Sequence, residues 1–103
     1  MLKDNLKATE FDAFVAGPEI TLVDLYAPWC GPCRSQGKIL EAMAEANPAL
    51  RIGKVNIDEE GELAVRFGVS AIPALLVFRD GQLKRQFVGL QSEQTLLAAI
   101  SEA

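Results

Sequence analysis

Two cysteines, Cys30 and Cys33, are the residues of this chain whose type and spacing best support chemistry. They lie in the string Trp-Cys-Gly-Pro-Cys at residues 29–33, between an apolar run at residues 20–27 and a helical pattern that begins near Cys33. At such a junction Cys30 is expected at the positive end of a helix, whose free N–H groups favour a thiolate over a thiol. Cys33 follows about one turn later, so the two sulfurs can close a small disulfide ring. Because so short a ring removes little entropy from the unfolded chain, the spacing favours a reversible redox pair over a structural staple.

A zinc ion is the alternative partner for a Cys-x-x-Cys pair. A structural zinc site takes four ligands, usually cysteine and histidine. The chain has two cysteines and no histidine, so two chains would have to share the metal. We therefore expect no metal.

Composition indicates one globular domain spanning residues 1–103. Half of the residues are hydrophobic and 23% are charged, which argues against a disordered chain. The net charge of −4 argues against a nucleic-acid partner. No run approaches the ~18 apolar residues of a membrane span, and no apolar leader opens the chain. We expect a monomer in the cytoplasm, with no membrane partner. In that reducing compartment a lone cysteine pair is more often catalytic or metal-binding than structural.

Hydrophobic periodicity predicts four strands and four helices. Strand patterns are expected at residues 20–26, 50–57, 74–78 and 84–88. Helical patterns are expected after a capping signal at Thr9-Glu10, from Cys33 to a stop at Asn47-Pro48, through Leu63, Ala64 and Phe67 to an end at Gly68, and after a cap at Ser92. Strands that alternate with helices predict a mixed sheet covered on both faces, parallel at its centre. The Asp80-Gly81 turn makes the last two strands an antiparallel hairpin, and Cys30 follows the carboxyl end of a central strand, where open α/β sheets place their sites.

Several segments together resemble the thioredoxin family over nearly the full length of the chain. They are residues 23–33, residues 54–58, Ile72-Pro73, Asp80-Gly81 and Val88-Gly89. A single Cys-x-x-Cys is a weak signal, whereas this combination is highly specific. The resemblance implies a thioredoxin-like fold: a central mixed five-stranded sheet flanked by four helices, in three α/β/α layers.

The resemblance also implies reduction of protein disulfides and a role for each matching residue. Cys30 is the exposed attacking thiolate, and Cys33, more buried, resolves the mixed disulfide. Pro73 matches the family's cis-proline, which lies against the cysteine pair. Asp24 matches a buried proton acceptor for Cys33, with Lys54 as its partner. The alternatives are a structural Asp24 satisfied by backbone or water, and a Lys54 that merely extends its stem along the strand.

An apolar rim around Cys30 is the expected docking surface for extended client chains. Its members are Trp29, Gly31, Pro32, Ile72, Pro73, Val88 and Gly89. The alternative for Ile72 and Val88 is ordinary core packing, and Gly89 can simply end a strand.

The electron donor implied by the resemblance is a flavin-containing thioredoxin reductase that uses NADPH, with a ferredoxin-linked or flavin-only reductase as the alternative. The chain itself has no Gly-x-Gly-x-x-Gly run and no P-loop, so no cofactor of its own is expected. Two other functions remain open: a binding scaffold with incidental thiols, and a disulfide oxidant or isomerase. The absence of a histidine between the cysteines and of an export signal argues against the second.

The chain departs from the family pattern in the stretch of residues 34–38, which is more apolar in typical members, and at two single positions. Lys38 replaces the proline that kinks the second helix, so we expect that helix to continue, with any bend at Gly37. Ala74 replaces a threonine, and Tyr26 replaces a tryptophan. These changes leave the redox pair intact but bear on which partners dock.

Overall fold

The fold is built on a five-stranded sheet. The structure is a computed structural model that describes residues 1–103. Its strands are β1 (Leu2–Lys3), β2 (Thr21–Tyr26), β3 (Arg51–Asn56), β4 (Ala74–Arg79) and β5 (Gln82–Val88). They lie in the order β1-β3-β2-β4-β5, so β2 is the central strand. β3 pairs parallel with β1 and β2, whereas β4 pairs antiparallel with β2 and β5. The predicted mixed sheet with a terminal hairpin is confirmed.

Four helices cover the two faces of this sheet. They are α1 (Ala8–Val15), α2 (Gly31–Ala46), α3 (Gly61–Arg66) and α4 (Glu93–Glu102). One hydrophobic core joins α1 and α3 to the sheet, and a second joins α2 and α4 to its other face. The three α/β/α layers implied by the family resemblance are therefore present. None of the helices combines the length and the apolar character needed to cross a bilayer.

The alternation of side chains along β2 decides which face each residue uses. Val23 and Leu25 belong to the core beneath α1 and α3, whereas Leu22 belongs to the core beneath α2 and α4. Because side chains alternate with a period of two, Asp24 projects from the same face as Leu22. Its carboxyl group therefore lies on the side of the sheet covered by α2, the helix that contains Cys33.

The amino-terminal elements differ from the prediction. Helix α1 begins at Ala8, so Thr9 lies inside the helix and the predicted Thr9 cap is wrong. Glu10 does contribute, because its Oε1 accepts a hydrogen bond from the backbone N–H of Lys7 at 3.0 Å. Strand β1 is too short to show an alternating pattern, and only the family resemblance implied a fifth strand.

Helix α2 begins at Gly31, two residues before the predicted start. Pro32 in its first turn suits a position where a backbone N–H has no partner inside the helix. The helix then continues without a break through Gly37 and Lys38 to Ala46. The expected continuous second helix is confirmed.

Candidate active site

The two cysteines lie between the carboxyl end of β2 and the first turn of α2. Cys30 is the N-cap residue of α2, and its Sγ accepts a hydrogen bond from the backbone N–H of Cys33 at 3.2 Å. The two residues form a disulfide, with their Cα atoms 5.2 Å apart. After reduction, a backbone N–H directed at Sγ of Cys30 at the positive end of a helix stabilises the thiolate. The site thus suits both the disulfide and a reactive Cys30 thiolate.

Cys30 is more buried than the sequence analysis predicts, whereas Cys33 is buried as expected. The exposed fraction is 6% for Cys30 and 2% for Cys33. They form a small apolar cluster with Ala27, flanked by Ile57 and Ile72. The prediction of an exposed Cys30 is wrong for this oxidised form, because the disulfide and its apolar neighbours take up surface that a free side chain would present. Cys30 is nevertheless the more accessible of the pair.

Asp24 is a fully buried carboxyl group in the central strand. It lies opposite Lys54 of β3 and Leu75 of β4, and neither of its carboxylate oxygens has a hydrogen-bond partner in the protein. Burial raises the pKa of Asp24 from 3.8 to about 7, and the positive charge of Lys54 opposes that rise only in part. No backbone group of the protein satisfies this carboxyl, so the backbone-bonded form of the structural alternative is wrong.

Lys54 lies beside α2, which begins at the cysteine pair and is called the redox helix below. Its Nζ is 4.6 Å from the centre of the Tyr26 ring. A Cβ added at Gly37 would come within 3.2 Å of the same Nζ, so the missing side chain leaves room for the lysine. Tyr26, Cys33, Gly37 and Lys54 all line one cleft of about 300 Å³. The structure therefore brings Lys54 and Cys33 to the same cleft, on the α2 side of the sheet.

The Ile72–Pro73 segment lies next to the strand ends that frame the site. The peptide bond between these residues is cis. The carbonyl of Pro73 accepts a hydrogen bond from the backbone N–H of Gly89 at 2.8 Å, and Ala74 follows as the first residue of β4. Gly89 has a φ of 91°, in the left-handed region that favours glycine. These contacts join the loop before β4 to the loop after β5.

The predicted rim residues differ in how much surface they offer. Trp29 is 69% exposed and Val88 is 56% exposed, so core packing is wrong for Val88. Pro73 is buried and lies directly before the first residue of β4. Its side chain therefore cannot be part of an exposed rim, and that prediction is wrong. Of the other members, Pro32 is exposed. Gly31, Ile72 and Gly89 are partly exposed.

Asp58 is a site residue that the sequence analysis missed. Both carboxylate oxygens of Asp58 lie within hydrogen-bond distance of the Trp29 indole Nε1, at 3.1 and 3.3 Å. This contact joins the ring of an otherwise exposed tryptophan to the segment that follows β3. Its sequence signal was an acidic residue two positions after β3, in a segment that also matches the family.

Gln36 is a second missed residue. Its side chain is fully buried in α2 and forms hydrogen bonds only with the backbone of Gln91. The signal was its position, three residues after Cys33 and four before Leu40, on the buried stripe of the helix. A polar residue at such a position requires a partner.

Comparison with known proteins agrees with this geometry. The family model described as Thioredoxin matches residues 3–102. A thioredoxin of Chlamydia pneumoniae is 41% identical over 97 residues, which is 94% of each chain. A mutant thioredoxin from Halobacterium salinarum superposes with a TM-score of 0.88 and 34% identity, over 98% of this chain and 88% of that one.

A third similar chain comes from a structure of the thiol-resolving mechanism of yeast mitochondrial 1-Cys peroxiredoxin via the glutathione/thioredoxin systems. It has a TM-score of 0.86 and 28% identity, over 98% of this chain and 95% of that one. The sheet order, the disulfide at the start of α2 and these matches lead to one conclusion. The chain belongs to the thioredoxin family, and it is a thiol-disulfide oxidoreductase.

Proposed function

We propose that the chain reduces disulfides of client proteins, with Cys30 as the attacking thiolate and Cys33 as the resolving thiol. The observation that carries this assignment is the hydrogen bond from the Cys33 backbone N–H to Cys30 Sγ at the start of α2. That N–H and the helix dipole both act on Sγ of Cys30, so Cys30 is the sulfur whose ionisation they favour. Cys33 lies deeper, beside Gly37 and Lys54.

The exchange proceeds in two steps. The Cys30 thiolate forms a bond to one sulfur of the client disulfide, and the other client sulfur leaves as a thiolate. Cys33 then loses its proton, and its thiolate attacks Sγ of Cys30 and releases the second client thiolate. The client gains two electrons, and the protein ends as the Cys30–Cys33 disulfide seen in this structure.

The second step needs a proton acceptor for Cys33, and Asp24 has the properties of one. An acceptor works best when its pKa is near the working pH, and burial raises the pKa of Asp24 to about 7. Its carboxyl group lies on the face of the sheet that α2 covers. Lys54 lies opposite Asp24 and lines the same cleft as Cys33, so it moderates the charge that Asp24 gains or loses.

Client chains dock beside the disulfide, on a surface formed by Trp29, Ile72, Val88 and Gly89. Exposed apolar side chains offer contact area to an extended segment, and Gly89 lets its backbone approach closely. Pro73 supports this surface from within, because its carbonyl accepts the Gly89 N–H. Gly31 and Pro32 complete the surface at the start of α2.

We further propose that a flavin-containing thioredoxin reductase regenerates the dithiol form. Peroxiredoxins are one client class to test, since a similar chain comes from a study of a yeast mitochondrial peroxiredoxin. A lone redox pair also suits the reducing cytoplasm. The proposed functional unit is one copy of residues 1–103.

Catalytic reduction of insulin tests this function. The protein, recycled by dithiothreitol or by a flavin-dependent reductase, should accelerate insulin reduction over the reductant alone. In the assay recycled by the reductase, where no small thiol can release the adduct, Cys33→Ser should abolish turnover, because the mixed disulfide has no resolving thiol. An unchanged rate with Cys33→Ser would overturn the assignment, and no acceleration by the wild type would favour a binding scaffold.

A further inference from the structure

A polar side chain on the buried face of α2 connects the redox helix to the loop after β5. Gln36 is 0% exposed and follows Cys33 by three residues, so both lie on one face of the helix. Its Oε1 accepts a hydrogen bond from the backbone N–H of Gln91 at 2.7 Å, and its Nε2 donates to the backbone carbonyl of Gln91 at 3.1 Å. Both polar atoms of the Gln36 amide are thus satisfied by one residue.

The hydrogen bonds continue from Gln91 into the proposed docking surface. The Gln91 side chain donates from Nε2 to the carbonyl of Gly89 at 3.2 Å. Gly89 in turn donates its backbone N–H to Pro73 at 2.8 Å. A continuous set of contacts therefore runs from Gln36 in α2, through Gln91 and Gly89, to Pro73.

Few other backbone contacts hold the loop between β5 and α4. The backbone N–H groups of Leu90 and Ser92 have no hydrogen-bond partner in the protein, and Leu90 is 51% exposed. Between them, Gln91 depends on Gln36 for both its backbone N–H and its backbone carbonyl. Buried polar groups left without a partner are costly, so loss of the Gln36 amide should release this loop.

We propose that Gln36 is a positioning residue that holds residues 89–91 against the redox helix and so keeps the docking surface in register with the disulfide. This role rests on the proposed docking function of Val88 and Gly89. None of the hydrogen bonds of Gln36 involves a cysteine, so it contributes to the binding of extended protein substrates and not to sulfur exchange. A small disulfide that does not need the loop should not sense its loss.

Gln36→Met is the direct test, because methionine keeps the length of the side chain and removes both hydrogen bonds. The KM for insulin should rise about tenfold, the effect of losing roughly one net buried hydrogen bond. The kcat for insulin and the rate with a small aromatic disulfide should stay at the wild-type values. Ser35→Ala, an exposed neighbour on the same helix, is the matched control and should change neither.

Hydrogen exchange supplies a readout that needs no catalysis. In the wild type the Gln91 amide should exchange more slowly than the amides of Leu90 and Ser92, which have no partner. Gln36→Met should remove that protection and leave the amides of β4 unchanged. If the variant does not fold, the wild-type comparison decides alone, and fast exchange at Gln91 would overturn the role.

The outcomes separate this role from the proposed function. If wild-type turnover is intact and Gln36→Met leaves the KM for insulin unchanged, the positioning role is wrong and the reductase function stands. Equal losses with insulin and with the small disulfide would show that Gln36 supports the cysteines themselves, which also overturns the proposal. If the wild type reduces neither disulfide, the reductase function fails and the docking role of Gln36 fails with it.

Discussion

Lys54 lies directly opposite Asp24 in the parallel pairing of β3 with β2, yet its ammonium group is placed over the ring of Tyr26, 4.6 Å from the ring centre. No ion pair within 4.0 Å joins Lys54 to the carboxylate. Burial therefore has the larger effect on Asp24, and its pKa rises to about 7 despite the nearby cation. This arrangement keeps a carboxyl group in the core poised to exchange a proton near neutral pH.

Asp24→Asn should stabilise the oxidised protein, increasingly so as the pH rises. The pKa of Asp24 is about 7 in the folded state against 3.8 for an unburied carboxyl, so the ionised group destabilises the fold above pH 4. That penalty grows up to about pH 7 and then levels off, and the two pKa values set its ceiling at roughly 4 kcal/mol. Denaturant unfolding at pH 4, 6 and 8 measures the gain.

The exposed Asp4 provides the control, since Asp4→Asn should show no comparable growth with pH. A gain for Asp24→Asn that is the same at pH 4 and pH 8, or absent at pH 8, would show that the carboxyl is not destabilised by its charge.

Lys54→Met should raise the pKa of Asp24 further. The change keeps an unbranched side chain of similar length and removes the only charge that lowers that pKa. An NMR titration of the Asp24 carboxyl carbon measures the shift directly. Lys84→Met, on the exposed hairpin strand, is the control and should leave the titration unchanged. A titration of Asp24 that moves down or stays in place on Lys54→Met contradicts the account.

Gly37→Ala should raise the free energy of unfolding by about 0.5–1 kcal/mol, because alanine favours a helix interior over glycine. The added Cβ meets only the Nζ of Lys54, at 3.2 Å, and the end of a flexible side chain can move aside. Gly53→Ala is the contrast, since its Cβ would lie 2.8 Å from ring and methyl carbons of Phe14 and Leu6. That crowding should cost about 1–3 kcal/mol. Equal effects of the two changes in denaturant unfolding would show that Lys54 cannot move aside.

Asp58→Ala should free the indole of Trp29 while leaving the fold intact. The hydrogen bond from Nε1 to a carboxylate is charge-assisted, but Trp29 is 69% exposed, so the stability change should stay below about 1 kcal/mol. Trp29 is the only tryptophan of the chain, so its fluorescence anisotropy and its indole N–H resonance report on this contact alone. Glu62→Ala, an exposed residue of α3, is the control. An unchanged indole resonance in Asp58→Ala would show that the contact does not hold the ring.

Much of the fold was predictable because its elements have strong local signals. The apolar run of β2 and the Asp80-Gly81 turn each predict their element from residues alone, and the positive φ of both turn residues agrees with the hairpin. Strand β1 gave no such signal, because two residues cannot show a period. The start of α1 was also predicted wrongly. The helix begins at Ala8, where Glu10 accepts a hydrogen bond from the backbone of Lys7 and Thr9 is not the cap.

The site was predictable where a residue's type is unusual for its place. The family resemblance pointed to Asp24, whose carboxyl group is unusual in a buried strand, and a Cys-x-x-Cys at a helix start pointed to Cys30 and Cys33. The partners of Trp29 and of Gln36 were not predictable, because both contacts join residues far apart in sequence, 29 and 55 positions respectively. Such pairings depend on how layers of the fold meet, which local patterns do not record.

Cys30 is proposed to attack the client disulfide and Cys33 to resolve the mixed disulfide. Trapping the mixed disulfide tests these two roles most directly. Reduced Cys33→Ser is mixed with an oxidised client protein, and the adduct is mapped by mass spectrometry after digestion. We expect a one-to-one adduct through Cys30 that persists until a small thiol is added, and Cys30→Ser should form an adduct far more slowly. An adduct through Cys33 in the Cys30→Ser variant, formed as fast as the one through Cys30, would contradict the assignment of both residues.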